Sequence, residues 1–239
     1  MLNDIVPPAE FGTRGRVVVE ELDLDISAPY RAMGLDFVTS DDVVRTGVVP
    51  RLNAALSIIS SIPDLASALG DLLWAIHVLK TPDADYDVSH SDPGIPFSVF
   101  IGVSAEPGPL DRIRLAEELV HECMHLQLTL LEAQHILVCA SEERLPSPWQ
   151  GRLRPTRGVL HGFYVFSVLD AFFSRLAAAS AVNPIEAAHV RARRHEIGAE
   201  LDVAANALAT SYELTEDGRI LVSELTYPDA MTARHERRK

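Results

Sequence analysis

Apolar residues recur at two different spacings along the first half of the chain. The alternating stretch within Val17 to Ile26 predicts a short strand. From Leu52 to Leu79 the apolar residues follow a helical spacing that is interrupted near Pro63, which predicts two helices. The segment PFSVFIGVS, which starts at Pro96, is rich in β-branched and aromatic residues and predicts a second strand.

The second half of the chain has longer helical patterns. We predict one helix from Asp111 to about Val138, a second from just after Pro155 to about Ala179, and a third from Pro184 to about Leu208. The segment SEERLPSPWQGRLRP predicts a linking loop because it is rich in proline and glycine. The pair Asp217-Gly218 predicts a hairpin. The expected fold class is therefore α+β, mainly helical with a small sheet.

Length and composition indicate one domain. With 239 residues, of which 47% are hydrophobic, the chain can bury a sizeable core. This length does not require two independent cores, so we expect a single domain over residues 1–239.

Acidic residues interrupt the longest apolar segments, which argues against a membrane span. Asp64 and Asp71 interrupt the segment from Leu56 to Leu79, and Asp170 interrupts the segment after Val159. A span needs about 18 uninterrupted apolar residues. The first residues also lack the basic head and apolar stretch of a secretory signal. We therefore expect a cytoplasmic protein without a membrane partner.

Charge and cysteine content argue against two other classes of protein. The formal net charge is −13, whereas nucleic-acid binding needs a clustered basic face. The basic residues from Arg191 to His195 and from Arg234 to Lys239 are interpreted as a solvated helix face and a chain terminus. Cys123 and Cys139 both fall in apolar helical patterns, which predict buried reduced thiols and no disulfide framework.

The segment from His121 to His125 matches the metal-binding pattern HExxH. On a helix, residues four apart lie on one face, so both imidazoles can reach one ion while Glu122 lies beside its remaining coordination positions. The predicted helix is apolar on both sides of the motif, and a metal would offset the desolvation of two interior histidines. We therefore predict a metal centre with His121 and His125 as ligands. The alternative is a pair of hydrogen-bonded core histidines.

A third ligand must come from elsewhere in the chain. The metzincin pattern requires glycine at position 128 and histidine at 131, but these residues are Leu128 and Leu131, so that class is excluded. Glu142 and Glu143 are candidates for a gluzincin-like ligand, although no helical pattern holds them. Glu132 lies about 10 Å beyond His125 along the helix axis, which favours a role beside a metal ligand or in a salt bridge over direct metal ligation.

His161 is the preferred third ligand, because an imidazole in the first turns of an otherwise apolar helix is unusual. Gly162 beside it would allow another helix or a substrate to approach closely. Arg157 and Tyr164 lie about one turn before and after His161, on the same stripe. Arg157 is the first candidate for binding an anion and Arg154 the second, with a surface ion pair as the alternative for Arg157. The alternative for His161 is a hydrogen-bonded core histidine.

At these residues the chain resembles the HExxH-type, 2-oxoglutarate-dependent peptide β-hydroxylases of bacteria. The resemblance covers about half of the chain, and its RGxLHG element is more specific than HExxH alone. It is carried by the segments DYDVSHSDPGIPFSVFIGVS, LAEELVHECMHLQLTLLE and LRPTRGVLHGFYVFSVLDAFF.

This resemblance implies a non-haem Fe(II) site, 2-oxoglutarate as co-substrate, and hydroxylation at a side-chain Cβ of a ribosomally made peptide. Carried over by position, it implies metal ligation by three histidines and makes Arg157 or Arg154 the partner of the distal carboxylate of 2-oxoglutarate. We place Glu122 and Tyr164 in the catalytic site. The implied ligands are His121, His125 and His161.

Two rival functions stay open at this point. One is a zinc-dependent HExxH peptidase, in which Glu122 would help to deprotonate a metal-bound water. The other is a non-catalytic, metal-stabilised peptide-binding domain. Three nitrogen ligands bind zinc at least as well as Fe(II), so the sequence does not name the metal.

The segment SHSDPGIPFSVF is a candidate wall of a peptide-binding site. A strand edge beside the motif helix can pair with an extended peptide, although an ordinary core strand is the alternative. His90 within this segment would either donate a hydrogen bond to a substrate or cap the Asp-Pro turn. The expected architecture is an HExxH helix packed against the helix that carries His161.

Overall fold

The computed structural model describes residues 3–5, 17–81, 88–139, 142–179 and 181–226. These ranges contain eight α-helices, seven short β-strands and one 3-10 turn, which confirms the predicted mainly helical α+β class. The helices are α1 (Leu24–Ala32), α2 (Ser40–Arg45), α3 (Val48–Ser60), α4 (Pro63–Leu72), α5 (Asp111–Glu132), α6 (Thr156–Ala179), α7 (Pro184–Ala209) and α8 (Glu216–Thr226). The strands are β1 (Asn3–Ile5), β2 (Val17–Val19), β3 (Ala75–Lys80), β4 (Ser89–His90), β5 (Ser98–Val103), β6 (Arg144–Ser147) and β7 (Arg152–Pro155).

The chain divides into two compact units. The first consists of Met1–Leu126 and Phe172–Arg191, and the second of Gln127–Ala171 and Ala192–Lys239. The long helices α5, α6 and α7 each contribute residues to both units. The single domain over residues 1–239 stays a prediction.

The first unit contains a five-stranded mixed sheet in the order β1-β2-β3-β5-β4. The strands β2, β3 and β5 are parallel, whereas β1 and β4 pair antiparallel at the two edges. The register of the central pair runs from Ala75 opposite Ser98 to Lys80 opposite Val103. All residues of these two strands are buried except Lys80, which fits central parallel strands that are covered on both faces.

The first unit corrects one prediction and confirms two others. The apolar run that ends at Leu79 is helical only as far as Leu72 and then forms β3, because a continuously apolar segment fits a buried parallel strand as well as a helix. The short strand predicted within Val17 to Ile26 is confirmed as β2, which ends at Val19 before α1 begins at Leu24. The predicted strand after Pro96 is confirmed as β5.

The predicted helix from Asp111 is confirmed as α5, although it ends at Glu132 and not near Val138. Asp111 places a negative charge in the first turn, where the helix dipole favours it. The guanidinium of Arg51 holds this end, since it donates to Asp111 and, over 2.7 Å, to the carbonyl oxygen of Ser104.

The start of α7 agrees with the prediction from Pro184 and is stabilised by a reciprocal cap. The side chain of Asn183 accepts hydrogen bonds from the backbone N–H groups of Ile185 and Glu186, and the Glu186 carboxylate accepts one from the N–H of Asn183. Arg112 binds the buried Glu186 with two hydrogen bonds. These contacts fix where the helix begins.

The second unit overturns both loop predictions. The segment predicted to be a linking loop forms an antiparallel hairpin of β6 and β7, turned by Gly151 at φ 60°. The hairpin predicted at Asp217-Gly218 is the first turn of α8, where the Thr215 side chain accepts a hydrogen bond from the N–H of Gly218. Gly218 allows the start of α8 to lie close to the backbone at Leu137, because a Cβ at position 218 would collide with the carbonyl oxygen of Leu137.

Residues from the basic run on α7 engage neighbouring acids, as expected of a solvated face. Arg193 pairs with Glu196 at 2.7 Å, and Arg194 pairs with Asp170 at 3.0 Å. The second basic stretch, from Arg234 to Lys239, lies outside the described residues.

Among the helices that the structure describes, α6 alone is long and apolar enough to cross a membrane. Core helices of globular proteins often have the same length and composition. Its apolar residues include Phe163 and Val165, which are buried.

We predict a pH-dependent stability that arises from His77. This β3 residue is buried, its Nδ1 lies 3.0 Å from the Glu20 carbonyl oxygen, and burial lowers its pKa below the usual 6.5. The unfolded chain therefore binds a proton below about pH 6.5 that the folded state refuses, and the free energy of unfolding falls as the pH drops through that range. His77→Leu should flatten this fall by at most about 1.4 kcal/mol per pH unit in urea titrations.

Replacement of the exposed His195 by Gln is the matched control and should leave the pH dependence unchanged. An identical slope in the wild type and in His77→Leu would contradict the assignment.

Candidate metal centre

The two histidines of the motif lie together on α5 within the first unit. The ring centroids of His121 and His125 are 4.9 Å apart, and the rings are inclined by 67°. Both side chains are half-buried, on a helix whose other side is packed. One turn of helix therefore presents two imidazoles to the same space, as the spacing predicts.

Glu122 is almost completely buried, with 4% of its surface exposed. The hydroxyl of Ser89 on β4 donates a hydrogen bond of 2.6 Å to Oε1 of this carboxylate. The same oxygen lies 4.0 Å from Nε2 of His121. A buried carboxylate is thus held beside one of the two imidazoles, where it can influence a bound cation.

This set of donors suits a divalent transition metal. Imidazole nitrogens bind zinc and iron, and a nearby carboxylate offsets their positive charge. Within the described ranges no group of three or more His, Cys, Asp or Glu side chains is arranged to hold an ion. The described residues therefore supply two imidazole donors with one carboxylate beside them, and a third ligand stays a prediction.

The two middle residues of the motif pack in the hydrophobic core. Cys123 and Met124 are buried, and burial raises the pKa of the Cys123 thiol. The prediction of a buried thiol is confirmed for Cys123. It is wrong for Cys139, which lies beyond the end of α5, is exposed, and donates through Sγ to the Glu213 carbonyl oxygen.

The strand proposed as a peptide-binding edge turns out to be an interior strand. β5 lies between β3 and β4, so the ordinary core strand is the correct alternative, and β4 is the edge. The Asp-Pro turn is closed by Asp92, not by His90. Its carboxylate accepts hydrogen bonds of 2.7 Å from the N–H of Gly94 and from the hydroxyl of Tyr30, and these two contacts lower the pKa of Asp92.

In the second unit, the end of α5 packs against the start of α6, which confirms the expected pairing of these helices. The Glu132 carboxylate lies 3.0 Å from Nε2 of His161 and accepts three hydrogen bonds from the Arg157 guanidinium, the shortest being 2.6 Å. The hydroxyl of Tyr164 donates to the Gln127 side chain over 2.6 Å. The stripe of residues predicted on α6 is thus engaged by α5.

Glu132 has the salt-bridging role predicted for it. Burial alone would raise its pKa, but the hydrogen bonds from His161 and Arg157 outweigh burial and lower the pKa to about 2. Arg157 is 57% exposed and holds Glu132 as its carboxylate partner. The structure therefore shows the ion pair that the sequence left as the alternative for Arg157.

His161 is held through one ring nitrogen by a carboxylate, which is the usual arrangement of a histidine that binds a metal through its other nitrogen. The same contact also suits a histidine with a purely structural role. Since His121 and His125 belong to the first unit and His161 to the second, the third ligand stays a prediction from the sequence.

Arg154, the second candidate for anion binding, has a different environment. Its guanidinium lies against Gly158 in the first turn of α6, with Cζ 3.2 Å from where a Cβ would stand. In the part of the chain that the structure describes, no carboxylate pairs with it. Gly162 also permits close approach, but the Trp149 ring, and not the predicted helix or substrate, fills that space.

The loop glutamates form a structural network within the second unit. The backbone N–H groups of Glu142 and Glu143 donate to Glu213 at 2.8 Å each. The Glu143 carboxylate accepts hydrogen bonds from the hydroxyls of Thr156 and Ser211. A carboxylate engaged in this way has a structural explanation that needs no metal, which weakens the gluzincin alternative.

Ser89 contacts the motif although no sequence pattern predicts it. A serine 33 positions before Glu122 carries no spacing signal, and only the β4–β5 pairing brings it to α5. The pairing of Glu132 with both His161 and Arg157 was likewise not foreseen.

Comparison with models of known protein families gives no match to this chain, and comparison with curated proteins gives no significant one. The resemblance to peptide β-hydroxylases therefore stays a prediction from the residues that carry it.

We expect Glu132→Gln to lower the free energy of unfolding at pH 7 by about 1–2 kcal/mol, because a charged acceptor of several hydrogen bonds is lost. The folded pKa of about 2 lies below the usual 4.5, so this stabilisation is complete above about pH 4.5 and disappears as the pH falls toward 2. Chemical denaturation of wild type and variant between pH 7 and pH 3 measures the difference.

Glu196→Gln is the control, since its pair with Arg193 is exposed and should contribute less than about 0.5 kcal/mol. Equal stability of wild type and Glu132→Gln at pH 7 would contradict the role given to Glu132.

Proposed function

We propose that this protein is a non-haem Fe(II), 2-oxoglutarate-dependent oxygenase that hydroxylates a side-chain Cβ of a peptide. The observation that carries the proposal is the pair of facing imidazoles of His121 and His125, with the buried Glu122 beside them. The three segments that resemble peptide β-hydroxylases support an oxidative and not a hydrolytic reaction. When bound, iron together with dioxygen and the keto acid would supply the oxidation of the substrate C–H bond.

The proposed ligands are the two motif histidines and His161. A ligand set of three side chains leaves the positions that a keto acid and dioxygen require. Glu132 would orient His161 through Nε2 and keep it in one tautomer. The ionised state of Glu132, with its pKa of about 2, suits that task throughout the physiological range.

Two arginines compete for the distal carboxylate of 2-oxoglutarate, and the contacts favour Arg154. Arg157 would have to exchange Glu132 for the ligand, whereas Arg154 has no competing carboxylate among the described residues. The guanidinium of Arg154 also lies at the first turn of α6, where the helix dipole adds attraction for an anion.

The remaining proposed site residues have positioning roles. Burial raises the pKa of Tyr164, so its phenol stays protonated and donates to Gln127, which fixes the ring on α6. Glu122 supplies negative charge next to His121 and is not required to act as a base in the oxygenase.

A zinc peptidase is the second candidate, and the position of Glu122 favours it. A carboxylate beside a ligand imidazole is what a peptidase uses to activate water. In that case Glu122→Gln would stop peptide hydrolysis while the metal stays bound.

The metal assignment predicts that His121→Ala and His125→Ala each abolish stoichiometric binding of Fe(II) or Co(II), because each variant removes one of about three protein ligands. His161→Ala should have the same effect. His195→Ala, which changes an exposed histidine, is the control. Anaerobic equilibrium dialysis with metal analysis gives the stoichiometry, and full retention in both motif variants would reject the site.

The anchor assignment predicts that Arg154→Ala weakens 2-oxoglutarate binding by roughly 2–4 kcal/mol, since a buried ligand carboxylate would lose its cation. Arg157→Ala should weaken binding less, because this guanidinium already has Glu132 as its partner. Anaerobic titration of the Fe(II) protein, followed through the visible charge-transfer band of the chelate, measures both affinities.

A selective loss of the band in Arg157→Ala would move the anchor to Arg157. Absence of the band in the wild type, together with peptide hydrolysis in the absence of 2-oxoglutarate, would favour the peptidase.

A further inference from the structure

The contact between Ser89 and Glu122 is unusual for its burial and its charge. Glu122 is 4% exposed, and the Ser89 hydroxyl donates to its Oε1 over 2.6 Å. A hydrogen bond to an ionised carboxylate is about twice as strong as one between neutral groups. A buried carboxylate that loses such a donor must find another partner, and a divalent cation is the strongest partner available.

Glu122 is close enough to the imidazole of His121 for both side chains to bind the same metal ion. Glu122 Oε1 lies 4.0 Å from Nε2 of His121. Two ligand atoms that share one ion, each at about 2.1 Å, are separated by roughly 3–4 Å. A small movement of the carboxylate would therefore let Glu122 join a metal held by His121.

We propose that Ser89 is a positioning residue that keeps the Glu122 carboxylate out of the metal's ligand set. This inference rests on the proposed function, because an oxygenase needs open positions for the keto acid that an additional carboxylate ligand would occupy. The hydroxyl of Ser89 offers Glu122 a partner other than the metal. The HExxH motif then contributes two metal ligands, His121 and His125, while Glu122 stays beside the metal without binding it.

The sheet fixes the place of Ser89. Ser89 stands opposite Ile101 in the β4–β5 pair, and the adjacent N–H of Gly102 donates to the Val88 carbonyl oxygen over 2.7 Å. A Cβ at Gly102 would lie 2.7 Å from that same oxygen and 2.6 Å from the Thr81 side chain. Glycine at position 102 therefore allows β4 to lie close to β5. This close packing determines where Ser89 lies relative to α5.

Loss of the Ser89 hydroxyl should therefore change the affinities for the metal and for 2-oxoglutarate in opposite directions. Without the hydroxyl, the carboxylate joins the metal, so metal affinity rises while 2-oxoglutarate loses a coordination position. A simple loss of structure would weaken the binding of both. This opposition separates a positioning role from a structural one.

The experiment compares Ser89→Ala, Ser89→Thr and the double variant Ser89→Ala/Glu122→Gln with the wild type. Ser91→Ala is the matched control, since it removes a hydroxyl from the same segment without touching Glu122. Co(II) affinity is measured by competition with a chelator, and 2-oxoglutarate affinity by anaerobic titration of the Fe(II) protein. Neither measurement depends on turnover.

We expect Ser89→Ala to bind Co(II) several-fold more tightly and 2-oxoglutarate roughly tenfold more weakly than the wild type. Ser89→Thr, which retains the hydroxyl, and Ser91→Ala should resemble the wild type. The double variant should regain the affinity for 2-oxoglutarate, because the neutral amide that Glu122→Gln introduces is a poor metal ligand compared with the carboxylate.

Unchanged affinities in Ser89→Ala, or a parallel loss of both, would overturn the proposal, as would a failure of the double variant to restore keto-acid binding. If the wild type binds Co(II) but not 2-oxoglutarate, the oxygenase assignment fails. The cobalt measurement then still decides whether Ser89 restrains Glu122.

Discussion

The proposed chemistry depends on one constraint, the placement of two imidazoles and a carboxylate on a helix that is otherwise packed into the protein. The rings of His121 and His125 lie 4.9 Å apart in an edge-to-face arrangement on α5, while Cys123 and Met124 between them are buried in the core. The packing of the intervening residues fixes the rotation of the helix and hence the direction of both imidazoles. Glu122 then becomes a buried anion that needs a partner, and Ser89 on β4 supplies one.

The carboxylate at the far end of the same helix also has partners that stabilise it. Glu132 is largely buried and keeps its negative charge because His161 and Arg157 both bind it. Two of the residues proposed for metal and keto-acid binding are thus tied to one carboxylate in the second unit. This arrangement favours Arg154 over Arg157 as the anchor, and it gives His161 the fixed orientation that a ligand requires.

The sequence predicted the elements that have strong periodicity or clear capping signals. The helices α5, α6 and α7 were found in place, and Pro184 marked the start of α7. β3 was missed because a central parallel strand and a buried helix share one apolar pattern. The β6–β7 hairpin was missed because proline and glycine indicate a turn without saying whether strands flank it, and Gly218 was taken for a turn although it permits close packing.

The candidate site was predictable only where its residues are close in sequence. The i, i+4 spacing gave the facing histidines, and the helical stripe through Arg157, His161 and Tyr164 was found on one helix. Contacts over long sequence separations were not predictable, and these contacts hold the carboxylates of the site: Ser89 with Glu122, and Glu132 with Arg157. Such pairs depend on strand register and helix packing, which a single sequence does not encode in any local pattern.

Conversion of 2-oxoglutarate to succinate tests the central claim most directly. The Fe(II)-loaded protein, supplied with dioxygen, 2-oxoglutarate and ascorbate, should form succinate and carbon dioxide in equal amounts. The His121→Ala and His125→Ala variants should form neither product above the background of free iron. Absence of succinate from the iron-loaded wild type, with cleavage of peptides by the zinc-loaded protein, would contradict the account.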